Sequence, residues 1–164
     1  MFLTCAKQKL FYIKESLGDN LDPSSMPKKD ISSRKKLTRR EQRDLDLEIG
    51  FLEGIVRRDP HYVEALQILG DGYTRRGEYT HGLKVDEQLA RLRPKDALVH
   101  YNLACSYSLI DECEAAGAAL ESALELGYRD FRWITTDPDL LNLRKHPLYK
   151  KIRAKVRALK LQAR

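Results

Sequence analysis

The side chains of this sequence that could do chemistry are scattered rather than clustered. The four histidines, His61, His81, His100 and His146, lie in separate stretches, and none has a second ligand four residues on to grip a metal from one helix face. His100 takes a core-facing helical position, where packing accounts for it better than ligation does. The three cysteines, Cys5, Cys105 and Cys113, form no CxxC pair and are odd in number, which fits neither a disulfide framework nor a zinc site. Cys105 and Cys113 fall in helical segments, where a reduced cysteine acts as a small core hydrophobe. Ser106 and Ser108 have no glycine elbow and no evident base partner. A glycine-rich phosphate cradle is missing as well. Asp111, Glu112 and Glu114 gather at a helix start, where carboxylates complement the helix dipole. From these residues we expect no catalytic site, no metal and no cofactor.

The chain has 164 residues, 42% of them apolar and 33% charged, as suits helices that expose long polar faces. No apolar run approaches the ~18–20 residues that cross a bilayer. The opening Met1-Phe2-Leu3-Thr4-Cys5-Ala6-Lys7 is too short an apolar run for a secretory signal, so the expected compartment is the cytoplasm. The net charge of +6 conceals an asymmetry. Residues 28–43 carry +6, residues 44–143 carry −9 and residues 144–164 carry +9, so an acidic middle stands between two basic ends.

A period of 34 residues organises the acidic middle. With Val63 and Ala97 as first positions, Leu69 aligns with Leu103, Gly70 with Ala104, Tyr73 with Tyr107, Gly82 with Ala116 and Leu92 with Leu126. Each frame holds two helix-length runs and a break. Leu66, Leu69 and Tyr73 recur at steps of three and four, which puts them on one helical stripe. Gly77 supplies a left-handed helix stop, and Pro94 ends the second helix. Asp111 replaces the glycine in the second frame and tolerates the same backbone. Tyr128 stands where the second frame would carry its closing proline.

The run Leu66-x-x-Leu69-Gly70-x-x-Tyr73-x-x-x-Gly77-x-Tyr79, closed by Leu92-x-Pro94, resembles the tetratricopeptide repeat, with leucine where tryptophan is commonest. His100-x-x-Leu103-Ala104-x-x-Tyr107, followed by Ala116 and Ala123, resembles it too. Leu45, Ile49, Leu52, Ile55, Val56 and Pro60 fit the second helix of an earlier repeat. The stretch from Gly127-Tyr128-Arg129-Asp130 to Asp137-Pro138-Asp139-Leu140 is similar to the tail that closes small bacterial tetratricopeptide proteins, where a degenerate last repeat seals the stack. The resemblance implies an all-α fold: a short right-handed α-solenoid of tetratricopeptide hairpins with a C-terminal capping helix.

The expected organisation has three parts. Residues 1–37 form an N-terminal segment, mostly linker (Gly18, Asn20, Pro23, Ser24, Ser25, Pro27), in which Leu10, Phe11, Ile13 and Leu17 could form a short helix over 6–17. Residues 38–136 carry the array: a helix over 39–58, opened by the capping box Thr38-Arg39-Arg40-Glu41, and repeats at 63–96 and 97–130. Residues 137–164 carry the basic capping helices. Asp137-Pro138 caps the first of them, and Leu148, Ile152, Val156 and Leu159 share one side of the last.

Such solenoids present the outward side of each first helix to a concave groove. The resemblance therefore implies a partner-binding face made of Glu64, Gln67, Asp71, Thr74 and Arg75 in the first repeat and Leu98, Tyr101, Cys105, Ser108 and Leu109 in the second. The apolar members of the second set would mark an interface if open; the C-terminal helix could instead cover them. Chaperone-tail binders of this family clamp a carboxylate with lysine, asparagine and arginine. Here Gln67 and Asp71 replace two of these residues and only Asn102 matches, so that ligand is not expected. The expected function is a scaffold or adaptor that grips a peptide or helix of another protein. Two alternatives are nucleic-acid or anionic-surface binding through the basic ends (Arg34, Lys35, Lys36, Arg39, Arg40, Arg43; Lys150, Lys151, Arg153, Lys155, Arg157, Lys160) and a secretion-type chaperone. The opposite charges of ends and middle also suggest contact between them, within one chain or between copies.

Overall fold

Thr38 begins the first helix by a reciprocal cap. Its Oγ1 accepts a hydrogen bond from the Glu41 amide at 3.2 Å, while its own amide donates to Glu41 Oε2 at 2.7 Å. From there a computed structural model describes residues 37–162 as eight α-helices, with no strand among the described residues. They are α1 (Arg39–Arg58), α2 (Val63–Arg76), α3 (Tyr79–Leu92), α4 (Ala97–Leu109), α5 (Cys113–Glu125), α6 (Phe131–Thr136), α7 (Leu141–Lys145) and α8 (Tyr149–Gln162). A 3-10 turn, Pro138–Leu140, joins α6 to α7. The helix expected over 6–17 and the linker up to residue 36 lie outside the described residues.

The spacing of residues sets the spacing of helices. α2, α4 and α6 start at Val63, Ala97 and Phe131, each 34 residues after the last. Asp96 caps α4, accepting from the Leu98 and Val99 amides, and Asp130 caps α6, accepting from the Trp133 amide. Between the helices of each hairpin the backbone turns left-handed, at Gly77 with φ 87° and at Asp111 with φ 68°. Asp111 thus does what the sequence expects of a short polar side chain at a glycine position. Close approach within the first hairpin depends on Gly70, where a Cβ would stand 3.3 Å from Val85 Cγ1 and from Asp86 Oδ1.

Neighbouring helices stack in order, α1 on α2, α2 on α3, α3 on α4 and α4 on α5, with α8 against α5. Two apolar clusters result. Leu45, Ile49, Leu52, Leu66, Leu69, Tyr73, Val85 and Leu89 form the first, with Val99 reaching in from α4. Tyr101, Leu103, Leu120, Leu124, Ile134, Leu140, Leu143, Ile152 and Val156 lead the second. α4 therefore feeds both clusters and ties one hairpin to the next. No helix among the described residues is long and apolar enough to cross a membrane.

After α5 the third 34-residue unit departs from the pattern. Asp137-Pro138 interrupts what would be its first helix, leaving α6, the 3-10 turn and α7 in place of one rod. The sequence reading assigned no helix to residues 131–136. The structure adds α6 there, and its Ile134 is fully buried.

Candidate protein-binding face

The face expected to meet a partner runs along α2 and α4, and the two helices differ in what covers it. On α2, Glu64 and Arg75 are exposed, and Gln67 and Thr74 are half-buried. Asp71 is buried between them. Arg75 Nη1 lies 3.8 Å from Asp71 Oδ2 and 3.7 Å from Glu48 Oε2 on α1. The Thr74 hydroxyl donates to the Gly70 carbonyl at 3.0 Å and is not free for a ligand. One residue of this face escaped the sequence reading. Ile68 is 43% exposed, one turn after Glu64 on the same side.

On α4 the corresponding stripe is closed. Tyr101, Cys105 and Ser108 are buried under the Asp137–Leu143 segment, which corrects the expectation that they face a partner. The Tyr101 hydroxyl donates to Asp137 Oδ2 at 2.7 Å, and Cys105 Sγ donates to the same oxygen at 3.6 Å. Ser108 accepts through Oγ from the Leu143 amide at 3.3 Å and through its carbonyl from Asn142 Nδ2 at 2.9 Å. Tyr128 stacks on Tyr101, the ring centres 4.2 Å apart. The physical reason is valency: the broken third unit brings an acceptor, the Asp137 carboxylate, to Tyr101 and Cys105, and donors, the Asn142 amide and the Leu143 N–H, to Ser108. Leu98 and Leu109, at the two ends of the stripe, stay half-buried. Leu98 joins Leu92, Pro94, Leu126 and Tyr128 in lining a cleft of about 850 Å³ between the loops that precede α4 and α6.

Burial of the closing segment has an electrostatic consequence. Loss of solvent, with the nearby Asp139 charge second, raises the Asp137 carboxyl from 3.8 to about 6, against opposing hydrogen bonds from Tyr101, the Asp139 amide and Cys105. The Arg144 guanidinium donates to the Asp137 carbonyl. Burial, then the Asp111 carboxylate, pushes the Cys113 thiol up, away from a reactive thiolate. Tyr73 donates to Glu53 Oε1 at 2.6 Å and Tyr107 to Glu87 Oε1 at 2.9 Å, the same bond one repeat apart. Both phenols are raised, by burial first and the glutamate second.

The histidines remain apart. His81 pairs with Glu78, His146 with Glu114, and His100 meets the Pro94 carbonyl at 3.0 Å on a half-exposed side rather than in the core as expected. Among the described residues no three His, Cys, Asp or Glu side chains gather as a metal site. The basic end helix touches the acidic middle within the chain. Lys151 lies 3.2 Å from Glu121 and Lys155 2.6 Å from Glu125, whose carboxyl that lysine lowers. Lys160 sits over the Phe131 ring.

No protein-family model matches the chain. Over 76 residues it is 38% identical to a protein of Arabidopsis thaliana whose name describes it as chloroplastic, in an alignment that covers 44% of this chain and 23% of that protein. The chain thus spans less than a quarter of the length of that curated relative.

Proposed function

We propose that this chain is a non-catalytic scaffold of tetratricopeptide type that holds a short segment of a partner protein on the outward side of α2. One observation carries the reading: Glu64, Gln67, Ile68 and Arg75 stay accessible on α2, whereas the same stripe on α4 is sealed by the chain's own residues 137–143. Ile68, with Glu64 one turn before it and Arg75 two turns after it, offers one apolar anchor beside a carboxylate and a guanidinium that Glu48 and Asp71 already hold in place. The 34-residue recurrence of helix starts, of the left-handed turn and of the tyrosine–glutamate bond supports the tetratricopeptide reading.

Nucleic-acid binding by the end helix has weaker support, since Lys151, Lys155 and Lys160 already have partners in the fold. A secretion-type chaperone would use the same face, and no residue on it favours that role. The relative is by its name chloroplastic, whereas the sequence analysis expects the cytoplasm; imaging of a fluorescent fusion decides between the two.

The test compares affinity capture by the full chain with capture by Ile68→Asp and Glu64→Lys, followed by titration of the captured partner. Loss of one apolar anchor weakens binding by about tenfold, or ~1.4 kcal/mol. Undiminished binding by both variants would show that this face is not used.

A further inference from the structure

The outer side of α1 carries an apolar stripe that no described residue covers. Leu47 is 75% exposed and Phe51 70%. A Cβ added at Gly50 or Gly54 would meet nothing within 4 Å. Positions 47, 50, 51 and 54 follow the i, i+3, i+4, i+7 spacing that places residues on one side of a helix. Leu45, Ile49 and Leu52 are buried in the cluster that α1 shares with α2, so α1 is apolar on two sides.

Repeat register shows what is missing. Because Tyr73 donates to Glu53 as Tyr107 donates to Glu87, α1 stands one repeat ahead of α3. In that register Phe51 corresponds to Val85 and Ala119, which are only 8% and 7% exposed. Val85 owes its burial to α2, whose Gly70 lets the two helices of that hairpin close. α1 is therefore the second helix of a hairpin whose first helix is absent from the described residues.

We propose that residues 6–17 of this same chain supply that helix, laying Leu10, Ile13 and Leu17 along Phe51 and Ile55, the counterparts of the buried Val85 and Leu89, with Leu47 at the rim where the exposed His81 stands one repeat on. Ala6, Leu10, Ile13 and Leu17 keep the spacing of one helical stripe. The stretch from Gly18 to Thr38 reaches ~60 Å when extended, and α1 is ~30 Å long, so the segment can fold back antiparallel as α2 and α3 do. A second copy of the chain is the weaker candidate. Two large side chains on one helix bury far less than the ~1,200 Å² a stable dimer needs, whereas a tethered segment meets its site at ~mM effective concentration. This inference concerns α1 alone and stands apart from the partner face on α2.

Spin labelling tests it in the intact chain. Cys105 and Cys113 are buried, so a nitroxide placed on Cys5 reacts selectively there. The antiparallel arrangement puts the label near the C-terminal half of α1, and the amide peaks of residues 54–58 disappear in the labelled chain. Phe51→Asp restores them; because Phe51 is exposed, unchanged shifts from α2 to α8 confirm that this variant is folded. Peaks that never disappear, or that stay lost in Phe51→Asp, overturn the proposal. Loss of the same peaks in an isotope-labelled chain mixed with a nitroxide-bearing unlabelled one also overturns it and assigns the face to a second copy.

Discussion

Replacing Asp137 by Asn isolates the electrostatics of the segment that closes the α4 face. Asp137 is fully buried, with Tyr101 and Cys105 donating to one oxygen and the Asp139 amide to the other. Its carboxyl rises from 3.8 to about 6, chiefly because the ionised form has lost its solvent and secondly because Asp139 is near. A group whose native pKa lies above its unfolded one binds a proton more tightly when folded. Below pH ~4 both states carry the proton and above pH ~6 neither does, so wild type loses stability as the pH climbs between those limits and recovers it on acidification. At ~1.4 kcal/mol for each pH unit, the whole excursion is about 3 kcal/mol. Asparagine is isosteric, caps the 3-10 turn as well as aspartate does, and can donate to the Tyr101 oxygen once that hydroxyl rotates. The variant is therefore expected to match wild type near pH 4 and to exceed it by up to about 3 kcal/mol at pH 7.5. Urea unfolding from pH 4 to 7.5 measures this, read by Trp133, the single tryptophan, whose carbonyl accepts from the Asp137 amide. Other carboxylates titrate in both proteins and cancel in the difference. A wild-type-minus-variant difference that is flat with pH would refute the attribution of the raised Asp137 pKa to burial.

Three further outcomes follow from local geometry. Gly77→Ala should destabilise by about 1 kcal/mol because φ is 87° there. Asp111→Gly, at the equivalent turn, should leave stability unchanged or slightly raised, since relief at φ 68° is offset by a freer unfolded chain and by loss of the Cys113 thiol contact. Thermal denaturation of the pair distinguishes a shared turn from two unrelated ones. Thr38→Ala removes the acceptor for the Glu41 amide and should cost about 1 kcal/mol, seen as faster hydrogen exchange in the first turn of α1. Tyr73→Phe and Tyr107→Phe each delete one half-buried hydrogen bond to a glutamate and should cost similar amounts, about 0.5–1.5 kcal/mol in denaturant titrations.

Much of this fold is legible wherever one residue type has one physical use. Thr38 with Glu41, Gly77, Asp111 and the aspartate ahead of Pro138 are local signals: each satisfies backbone within a few residues of itself, and the structure places each at a helix boundary. The closed half of the candidate face was not legible, because Tyr101 and Asp137 are 36 residues apart and no short-range pattern says that a phenol and a carboxylate will meet. α6 escaped for a related reason. Six residues carry too little periodicity to identify, and the helix is held by the burial of Ile134 rather than by propensity. Phe51 was overlooked because α1 was read for one apolar stripe, Leu45 with Ile49 and Leu52, and a second stripe has meaning only beside the register of α3.

The three units of 34 residues thus have three different fates on the same surface, and under the proposed reading the difference limits what the α2 face would hold. A regular array extends its groove with every repeat, but here α4 already has an occupant in the 137–143 segment, satisfied by hydrogen bonds at both Tyr101 and Ser108. Under that reading a ligand on α2 would lengthen its contact only by displacing that segment, which would leave the Tyr101 and Ser108 groups without the partners they have now. The 14 residues of α2 span roughly 21 Å. An extended peptide covers that distance with about six residues, and such a contact falls at the small end of specific interfaces, where association is transient. The closing segment therefore shields the α4 side chains from solvent, and under the proposed reading it sets the length of partner segment that the α2 face would take.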